Sequence, residues 1–427
     1  MSIEQYLNDY PAMRAQLAGA GHGWLESQRE FALNAFAAKG FPSLRDEDWR
    51  YTKLSGLDKT VFSPVQDTPL HSGLLESYLL ADAYHLVLVN GHFCPEASDS
   101  LPAELNCYCL KQALLQQPDQ VAEYLGKALP EAEHSLISFN SAWFSDGIWL
   151  EASQSLVLDK PIQILHIVTS AQALAACRNI FILHPHSEIE IIETYAGSAS
   201  SSLTVSVNEC FIGANAELNL AKLQTEPEKA VHFGGTYVKQ ARSSRFKHQN
   251  FAFGAQLART DIHTDLFQAA ECQLDGLYVA GQRQHLDTLT RINHLQAHGI
   301  SREFYKGVLD DNARGVFQGR VVVAQDAQQT DSEMNNRNLL LSANAEIDSK
   351  PQLEIYADDV KCSHGMTVGQ LDEKSLFYLQ SRAIDEEAAR DLLTFAFANE
   401  MVEKVEHAGF KALLHEQLLQ RFPAIHL

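Results

Sequence analysis

The sequence lacks several features that would place it in a familiar class. It has no run of about 18 apolar residues, which a membrane-spanning helix needs, and its first residues have neither the basic flank nor the apolar core of an export signal. Positive charge is scarce, because 33 Lys and Arg face 54 Asp and Glu and give a formal net charge of -21. A field that attracts nucleic acid or membrane is therefore absent. We expect a cytoplasmic protein.

Cysteine is also sparse, and it is scattered. The seven cysteines are Cys94, Cys107, Cys109, Cys177, Cys210, Cys272 and Cys362. Only Cys107 and Cys109 are close together, and no C-x-x-C pair occurs, so a zinc ribbon or a ferredoxin-type cluster is not expected. An odd set of thiols without an export signal favours reduced cysteines, most of them small buried apolar residues. Their individual roles stay open.

A phosphate-binding G-x-x-x-x-G-K-[ST] loop is missing as well, so we do not expect the chain to hydrolyse ATP. What the first 140 residues contain is mainly helix and loop. Residues 26–39 place Phe31, Ala32 and Phe36 at helical spacing, and Gly40 then ends the helix. The segment 47–52 embeds aromatic residues in charge, which favours an aromatic anchor that packs a loop onto the domain.

One short buried strand is expected at residues 84–89. From about residue 141 to 380 the whole chain reads as strands, because short alternating or apolar runs are separated by Gly, Asn, Asp and Ser. Clear cases are residues 161–168, 189–193, 217–223 and 287–293.

A degenerate motif recurs within these strands. It consists of a small residue, Glu or Gln, and Leu or Ile, and it starts at Ser187, Ala216, Cys272 and Ala345. The first three starts are 29 and 56 positions apart, about one and two periods of 28 residues, whereas the last spacing of 73 does not fit. A period of this size is typical of solenoids.

Strands without intervening helices, together with this repeat, favour a mainly β fold with a right-handed parallel β-helix as its core. We expect three regions: a mainly helical region at 1–140, the solenoid at 141–380 and a helical hairpin at 381–427. The helical regions can cover the ends of the solenoid, where sheet edges would otherwise pair with other chains.

The hairpin is the clearest helical pattern. Asp385 is the expected N-cap before Glu386 and Glu387, whose charges suit the positive end of a helix dipole. Gly409 is expected to break the run before a second helix over 410–422. The hairpin can be either a cap packed on the solenoid or a docking element for a partner.

The strongest chemical candidate is the pair Cys362 and His364. Residues two apart on a strand share a face, where a soft metal or a sulfur species can meet a thiolate and an imidazole together. Two donors leave an iron site incomplete, so the other ligands would have to come from a partner or from sulfide.

Two other groups of polar residues are weaker candidates for a chemical site. Asp358 and Asp359 are adjacent, so on a strand they point to opposite faces and do not flank one glycosidic bond; a turn or a cation-solvating edge is the better interpretation. His184 and His186 flank Pro185, which favours a solenoid corner over a metal site. A β-helix enzyme acting on carbohydrate remains the alternative function, although no groove of carboxylates on one face is evident.

Several motifs in fixed order resemble the SufB/SufD family of iron-sulfur cluster assembly scaffold proteins. They are Ser301-Arg-Glu-Phe-Tyr-Lys-Gly307, Gly315-Val-Phe-Gln-Gly319, Asn338-Leu-Leu-Leu-Ser342, Pro351 to Asp359, Cys362-Ser-His-Gly365 and Leu376-Phe-Tyr-Leu-Gln-Ser-Arg382. The resemblance is dense from about 240 to 400, and residues 47–52 and 146–147 extend it toward the N-terminus. Within the family the chain resembles the SufD branch, because the stretch around Ala345 lacks the cysteine of a Gly-Asp-x-Cys-Gly-Ala-His pattern that is typical of SufB.

The resemblance implies a scaffold subunit without catalysis of its own. It implies that His364, with Cys362 as a second candidate, faces a SufB-like partner and helps to hold iron or a nascent cluster that is shared and transient. It also implies recruitment of a SufC-like ABC ATPase through the hairpin, and a homodimer in isolation stays open. The residues expected at partner interfaces are Asp358, Asp359, Ser363, Phe395 and Phe410.

Two positions depart from the family pattern. Met366 replaces an expected Ala, and Ala383 replaces an expected Gly. Ala383 matters more physically, because Gly would enter a backbone turn before the C-terminal helices more readily than Ala. Neither change removes a proposed ligand.

Overall fold

The computed structural model describes residues 2–54, 60–65, 72–130 and 134–424. Its centre is a parallel β-solenoid of about eight turns, with helices toward both termini of the chain. The fold class expected from the sequence is therefore confirmed. None of the helices in these described segments is long and apolar enough to cross a membrane.

The strands occupy residues 84–369, and from residue 148 onward they follow one another with short connections. They are β1 (Tyr84–Val89), β2 (His92–Phe93), β3 (Leu105–Cys109), β4 (Ile148–Ala152), β5 (Ile162–Val168), β6 (Ala173–Leu183), β7 (Glu188–Gly197), β8 (Ser202–Ile212), β9 (Glu217–Gln224), β10 (Val231–Gln240), β11 (Arg245–Ala252), β12 (Leu257–Leu266), β13 (Glu271–Ala280), β14 (His285–His294), β15 (Ile300–Leu309), β16 (Arg314–Val323), β17 (Asp331–Leu340), β18 (Glu346–Ile355) and β19 (Lys361–Gly369).

The helices precede and follow this run of strands, and three of them lie between β3 and β4. They are α1 (Ser2–Met13), α2 (Gly23–Lys39), α3 (Ser72–Glu76), α4 (Leu110–Gln116), α5 (Pro118–Tyr124), α6 (Ser135–Trp143), α7 (Glu373–Gln380), α8 (Glu386–Val402) and α9 (Ala408–Leu419). Single 3-10 turns occur at Arg14–Gln16, Glu47–Trp49 and Pro95–Ala97. The first 140 residues thus supply three strands as well as helices, of which the sequence predicted only β1.

The strands form two long sheets. Sheet A has nine strands in the order β18-β16-β14-β12-β10-β8-β6-β4-β3, and sheet B has ten in the order β19-β17-β15-β13-β11-β9-β7-β5-β1-β2. Each turn of the solenoid adds one parallel strand to each sheet, and only the β1–β2 and β3–β4 pairs are antiparallel. Inward side chains at matching positions of successive turns therefore stack in columns, and neighbours within a column are about 4.8 Å apart.

The register explains the repeat. Glu188 pairs with Glu217, so the first spacing is one turn. Gln273, the polar residue of the third copy, lies two turns further on. The strand register aligns it with Asn219, whereas the motif would align it with Glu217, two residues earlier. Glu346 opens β18 in sheet A, whereas the other three copies lie in sheet B. The fourth spacing fails because that copy belongs to the other sheet.

The corners that follow the sheet A strands share one backbone device. A residue with a left-handed backbone recurs at His186, Asn215, Ser243, Ala269, His298 and Gln329. Its amide donates to the next turn, as from His186 N to the Ala214 carbonyl at 3.1 Å. The corner predicted at His184-Pro185-His186 is confirmed, and His184 contacts Glu151 at 2.8 Å.

The outer faces of the two sheets are covered differently. Helices α2 and α6 pack on sheet A, while α8 and α9 pack on sheet B. Trp49 is 1% exposed and lies over the Arg259 guanidinium, 4.0 Å from the ring centre, so the predicted aromatic anchor is confirmed. Helix α2 ends at Gly40 as expected, but Phe31 is 77% exposed, because only the Ala32 and Phe36 side of the helix reaches the core.

The C-terminal helices follow the prediction in outline. Asp385 caps α8 by accepting from the Ala388 amide at 3.0 Å. The prediction that Gly409 separates the two helices is wrong, since α8 ends at Val402 and Gly409 lies in the first turn of α9. The cap there is His407, whose ring accepts from the Phe410 amide at 3.0 Å. Ala383 has φ +64°, the left-handed conformation for which glycine was expected.

Candidate functional site

The solenoid ends in two strands whose outer edges are free. β18 is the last strand of sheet A and β19 the last of sheet B, and no other strand of the described residues pairs with their far sides. We call these two strands and the turn between them, residues 346–369, the open end. A free edge exposes a row of backbone donors and acceptors, which is a template for another chain.

Cys362 and His364 both lie on β19. The register pairs Cys362 with Ser332 and His364 with Met334, and both partners are buried in the solenoid interior. The two candidate ligands therefore share the inward face of the last turn, as their spacing predicted. Because no further turn covers them, Cys362 is only half-buried and His364 is exposed.

The environment of Cys362 disfavours its thiolate. Burial raises the pKa of this thiol above its ordinary value, and the nearby charge of Asp331 adds to the effect, while the Ser332 backbone amide opposes it. The thiol is thus protonated at neutral pH, and a metal would have to displace that proton to bind. No group of three or more His, Cys, Asp or Glu in the part of the chain that the structure describes can hold a metal ion.

A column of inward side chains continues below His364. β15 pairs with β17 so that Glu303 lies opposite Met334, and Met334 lies opposite His364. Glu303 is 2% exposed, and neither carboxyl oxygen has a hydrogen-bond partner within the described segments. Thr290 of the facing sheet is close, but its hydroxyl is also unpaired. Burial raises the pKa of Glu303 to about 8.

Sequence reasoning missed Glu303, although it lies within one of the family motifs. The available signal was a carboxylate between Ser301 and Tyr305, at a position that alternation places inward. A charged residue at such a position is unusual, because burying an unpaired carboxylate is costly and the group stays neutral instead.

The acidic pair forms a turn. Asp358 and Asp359 are exposed in the connection between β18 and β19. The Asp359 amide donates to the Gln328 side chain at 2.9 Å, and the Asp359 carbonyl accepts from the Gln329 amide at 2.6 Å. The turn expected for this pair is confirmed. Ser363 lies nearby on the outward face of β19 and is exposed.

Exposed apolar side chains lie on the open end and on the helix that follows it in the chain. They are Ile355, Tyr356, Met366 and Val368 on or beside the last strands, and Phe377 and Tyr378 on α7. Exposed fractions run from 42% for Ile355 to 72% for Phe377. Exposed apolar side chains beside a free strand edge are typical of an interaction surface.

The two hairpin residues differ in accessibility. Phe395 on α8 is half-buried beside His415 and Phe422. Phe410 on α9 is fully buried, with its ring 5.9 Å from that of Phe251 in sheet B. A partner that docks on the outer side of the hairpin therefore reaches Phe395, and Phe410 is enclosed between α9 and the sheet.

The remaining cysteines are unpaired. Cys177, Cys210 and Cys272 are buried, and burial raises the pKa of each thiol. Cys107 and Cys109 line a cleft of about 340 Å³ near the first turn, and burial raises the pKa of these thiols to about 12 and about 11. All five are therefore poor nucleophiles at neutral pH.

Comparison with known proteins supplies a family for this fold. The SufBD core domain of SUF system FeS cluster assembly matches residues 166–397, and the SufBD protein N-terminal region matches residues 1–164. An iron-sulfur cluster assembly SufBD family protein of Synechocystis is 30% identical, with 94% of this chain and 92% of that protein covered. SufD of Escherichia coli K12 is 30% identical over 93% of each chain. SufD of Bacillus subtilis is 24% identical, over 71% of this chain and 70% of that protein.

Proposed function

The chain belongs to the SufBD family of iron-sulfur cluster assembly proteins, and from this membership we propose that it acts as a SufD-like scaffold subunit. In this proposal it pairs with a SufB-like subunit through the open end. It recruits a SufC-like ATPase through the C-terminal hairpin, and it performs no catalysis itself. Iron or a nascent cluster is the cargo of the complex, shared across the interface and not a resident cofactor.

One observation carries the proposal: the candidate ligands lie on the last turn of the solenoid, where both sheets end in a free strand edge. Cys362 and His364 occupy the last turn, between two free strand edges and beside exposed apolar side chains. A second subunit that continues both sheets would satisfy the unpaired backbone groups and cover the apolar surface. It would also place its own donors next to this pair, which alone is too small a ligand set for iron.

The hairpin is suited to transmitting motion to this site. Lys306 of β15 donates to Glu400 of α8 at 2.6 Å, and Lys404 contacts Asp275 of β13 at 2.5 Å. The hairpin is thus fastened to sheet B, which ends in the strand that bears His364. An ATPase bound to the outer side of α8 and α9 would therefore pull on the sheet that holds the site.

The alternative of a carbohydrate-active enzyme has no support beyond the solenoid fold. The acidic pair that suggested it forms a turn, and family membership assigns the chain to cluster assembly. A fold of this kind hosts many functions, so fold alone gives no reason to keep the alternative.

The test is His364→Ala in the complex of this chain with its SufB-like and SufC-like partners, purified without oxygen. We expect the complex to assemble but to hold about tenfold less iron and sulfide, because one donor is lost. The readout is iron and sulfide per complex. His298→Ala is the matched control, since His298 is an exposed histidine at a solenoid corner. An unchanged amount of iron per complex in the His364 variant would contradict the proposed role of His364 as a ligand.

A further inference from the structure

A groove unrelated to the open end runs along one corner of the solenoid. It has a volume of about 500 Å³ and lies where β6, β8, β10 and β12 of sheet A end and the chain turns toward sheet B. The end of α5 closes one side. This volume is within the range of small-molecule sites, about 300 to 1,000 Å³.

The wall of this corner groove is mainly apolar and aromatic. Tyr124 of α5 packs edge-on against Phe211 of β8, with ring centres 5.0 Å apart. Phe267 follows β12 and is 37% exposed. Ile182 and Pro185 line the groove beside them. A flat apolar molecule can lie against these rings.

The polar part of the groove contains two cations beside His184, Gln268 and Gln296. Lys239 and Arg242 both line it, and within the described residues neither side chain has a hydrogen-bond or ion-pair partner. Arg245, at the start of the next strand, is by contrast paired with Glu217 at 2.5 Å. Of the residues that line the groove none is acidic, although the chain has 54 Asp and Glu.

These observations fit an anionic ligand with an apolar body. Two unpaired cations beside an apolar aromatic wall attract a negative group attached to a flat apolar body. A guanidinium binds carboxylate or phosphate oxygens in a fork, and a lysine adds a second positive charge. We propose that the corner groove binds a small organic anion with a planar apolar body, its acidic group held by Lys239 and Arg242.

The test uses two fluorescent probes on the full chain. One is 8-anilinonaphthalene-1-sulfonate, which combines a flat naphthalene ring with a sulfonate, and the other is the neutral dye N-phenyl-1-naphthylamine. Each is titrated into the unmodified protein and into the double variant Lys239→Ala, Arg242→Ala. We expect the double variant to bind the anionic dye about tenfold more weakly, about 1.4 kcal/mol, and to bind the neutral dye unchanged.

The matched control is Lys229→Ala, Arg283→Ala, which removes two cations from a different surface groove that also contains Glu228 and Asp311. It changes the net charge equally, so it should leave binding of the anionic dye unaltered. Equal weakening in both double variants, or no weakening in either, overturns the proposal. Loss of both dyes in the Lys239 and Arg242 variant also overturns it, because anion recognition would then not be the cause.

Discussion

Glu303 is a single residue whose charge state follows from its surroundings. Its carboxyl is enclosed in the solenoid without a hydrogen-bond partner among the described residues, so the folded protein keeps it protonated up to a pKa of about 8. The unfolded chain releases this proton near pH 4.3. Folding therefore takes up a proton between these values, and the free energy of unfolding falls as pH rises through that window.

We predict that Glu303→Gln removes this loss. The amide has nearly the same shape and does not ionise, so the variant should match the stability of the parent near pH 4 and exceed it increasingly up to pH 8. The difference between the two free energies of unfolding grows by at most about 1.4 kcal/mol per pH unit. Urea unfolding at several pH values measures the difference. Glu333→Gln, at an exposed position on the neighbouring strand, is the control and should show no trend.

At the scale of elements, the strand β19 decides whether the chain can associate. Its outer edge is free, and Val368 on it is 49% exposed, as part of the apolar cluster of the open end. Charged side chains on edge strands are a common natural device against pairing. A lysine at this position should therefore block the association of another chain with the open end.

We predict that Val368→Lys weakens binding to a SufB-like partner, and any self-association, at least about tenfold. The isolated chain should remain folded, because a substitution at a half-exposed position usually changes stability by no more than about 0.5 kcal/mol. Sedimentation and calorimetric titration report the association. Val157→Lys is matched in chemistry and exposure, at 61%, but lies outside the open end. If both variants associate as the parent does, the open end is not the interface.

At the scale of the whole molecule, the packed solenoid encloses several histidines in neutral form. Burial lowers the pKa of His248 to about 3, and the pKa values of His263, His285 and His294 to about 4. His248 has no hydrogen-bond partner on either ring nitrogen within the described chain. In the unfolded chain these rings bind protons below about pH 6.5.

We predict that the protein loses stability as pH falls from 6.5 to 4, because the unfolded state binds more protons than the folded state in this range. Each histidine contributes up to about 1.4 kcal/mol per pH unit. Circular dichroism in urea at pH 7 and pH 5 reports the loss. His248→Met should reduce this pH dependence, whereas His298→Met, at an exposed corner, should leave it unchanged.

The sequence by itself determined where most strands of the solenoid lie and the kind of fold they build, although it did not predict β2 and β3. Apolar and alternating runs identified β1, β5 and β9, and the corner at His186 followed from a proline between two polar residues. The helix cap at Asp385 was also predicted from the sequence. These features are local, because they depend on neighbours a few residues away and on backbone preferences that each residue carries with it.

Only the tertiary structure decided which face each residue presents and what covers it. It placed the Ala345 copy of the motif in the other sheet, left Phe31 in solvent and enclosed Phe410. It also put Glu303 beneath His364 and gathered Lys239 and Arg242 into one groove. The exposure of Phe31 and the burial of Phe410 depend on how the helices pack on the sheets, and the other facts depend on the register between turns whose paired residues are 26 or more positions apart. A pattern with a period of two or 3.6 residues carries no information on that register, since packing between distant segments sets it.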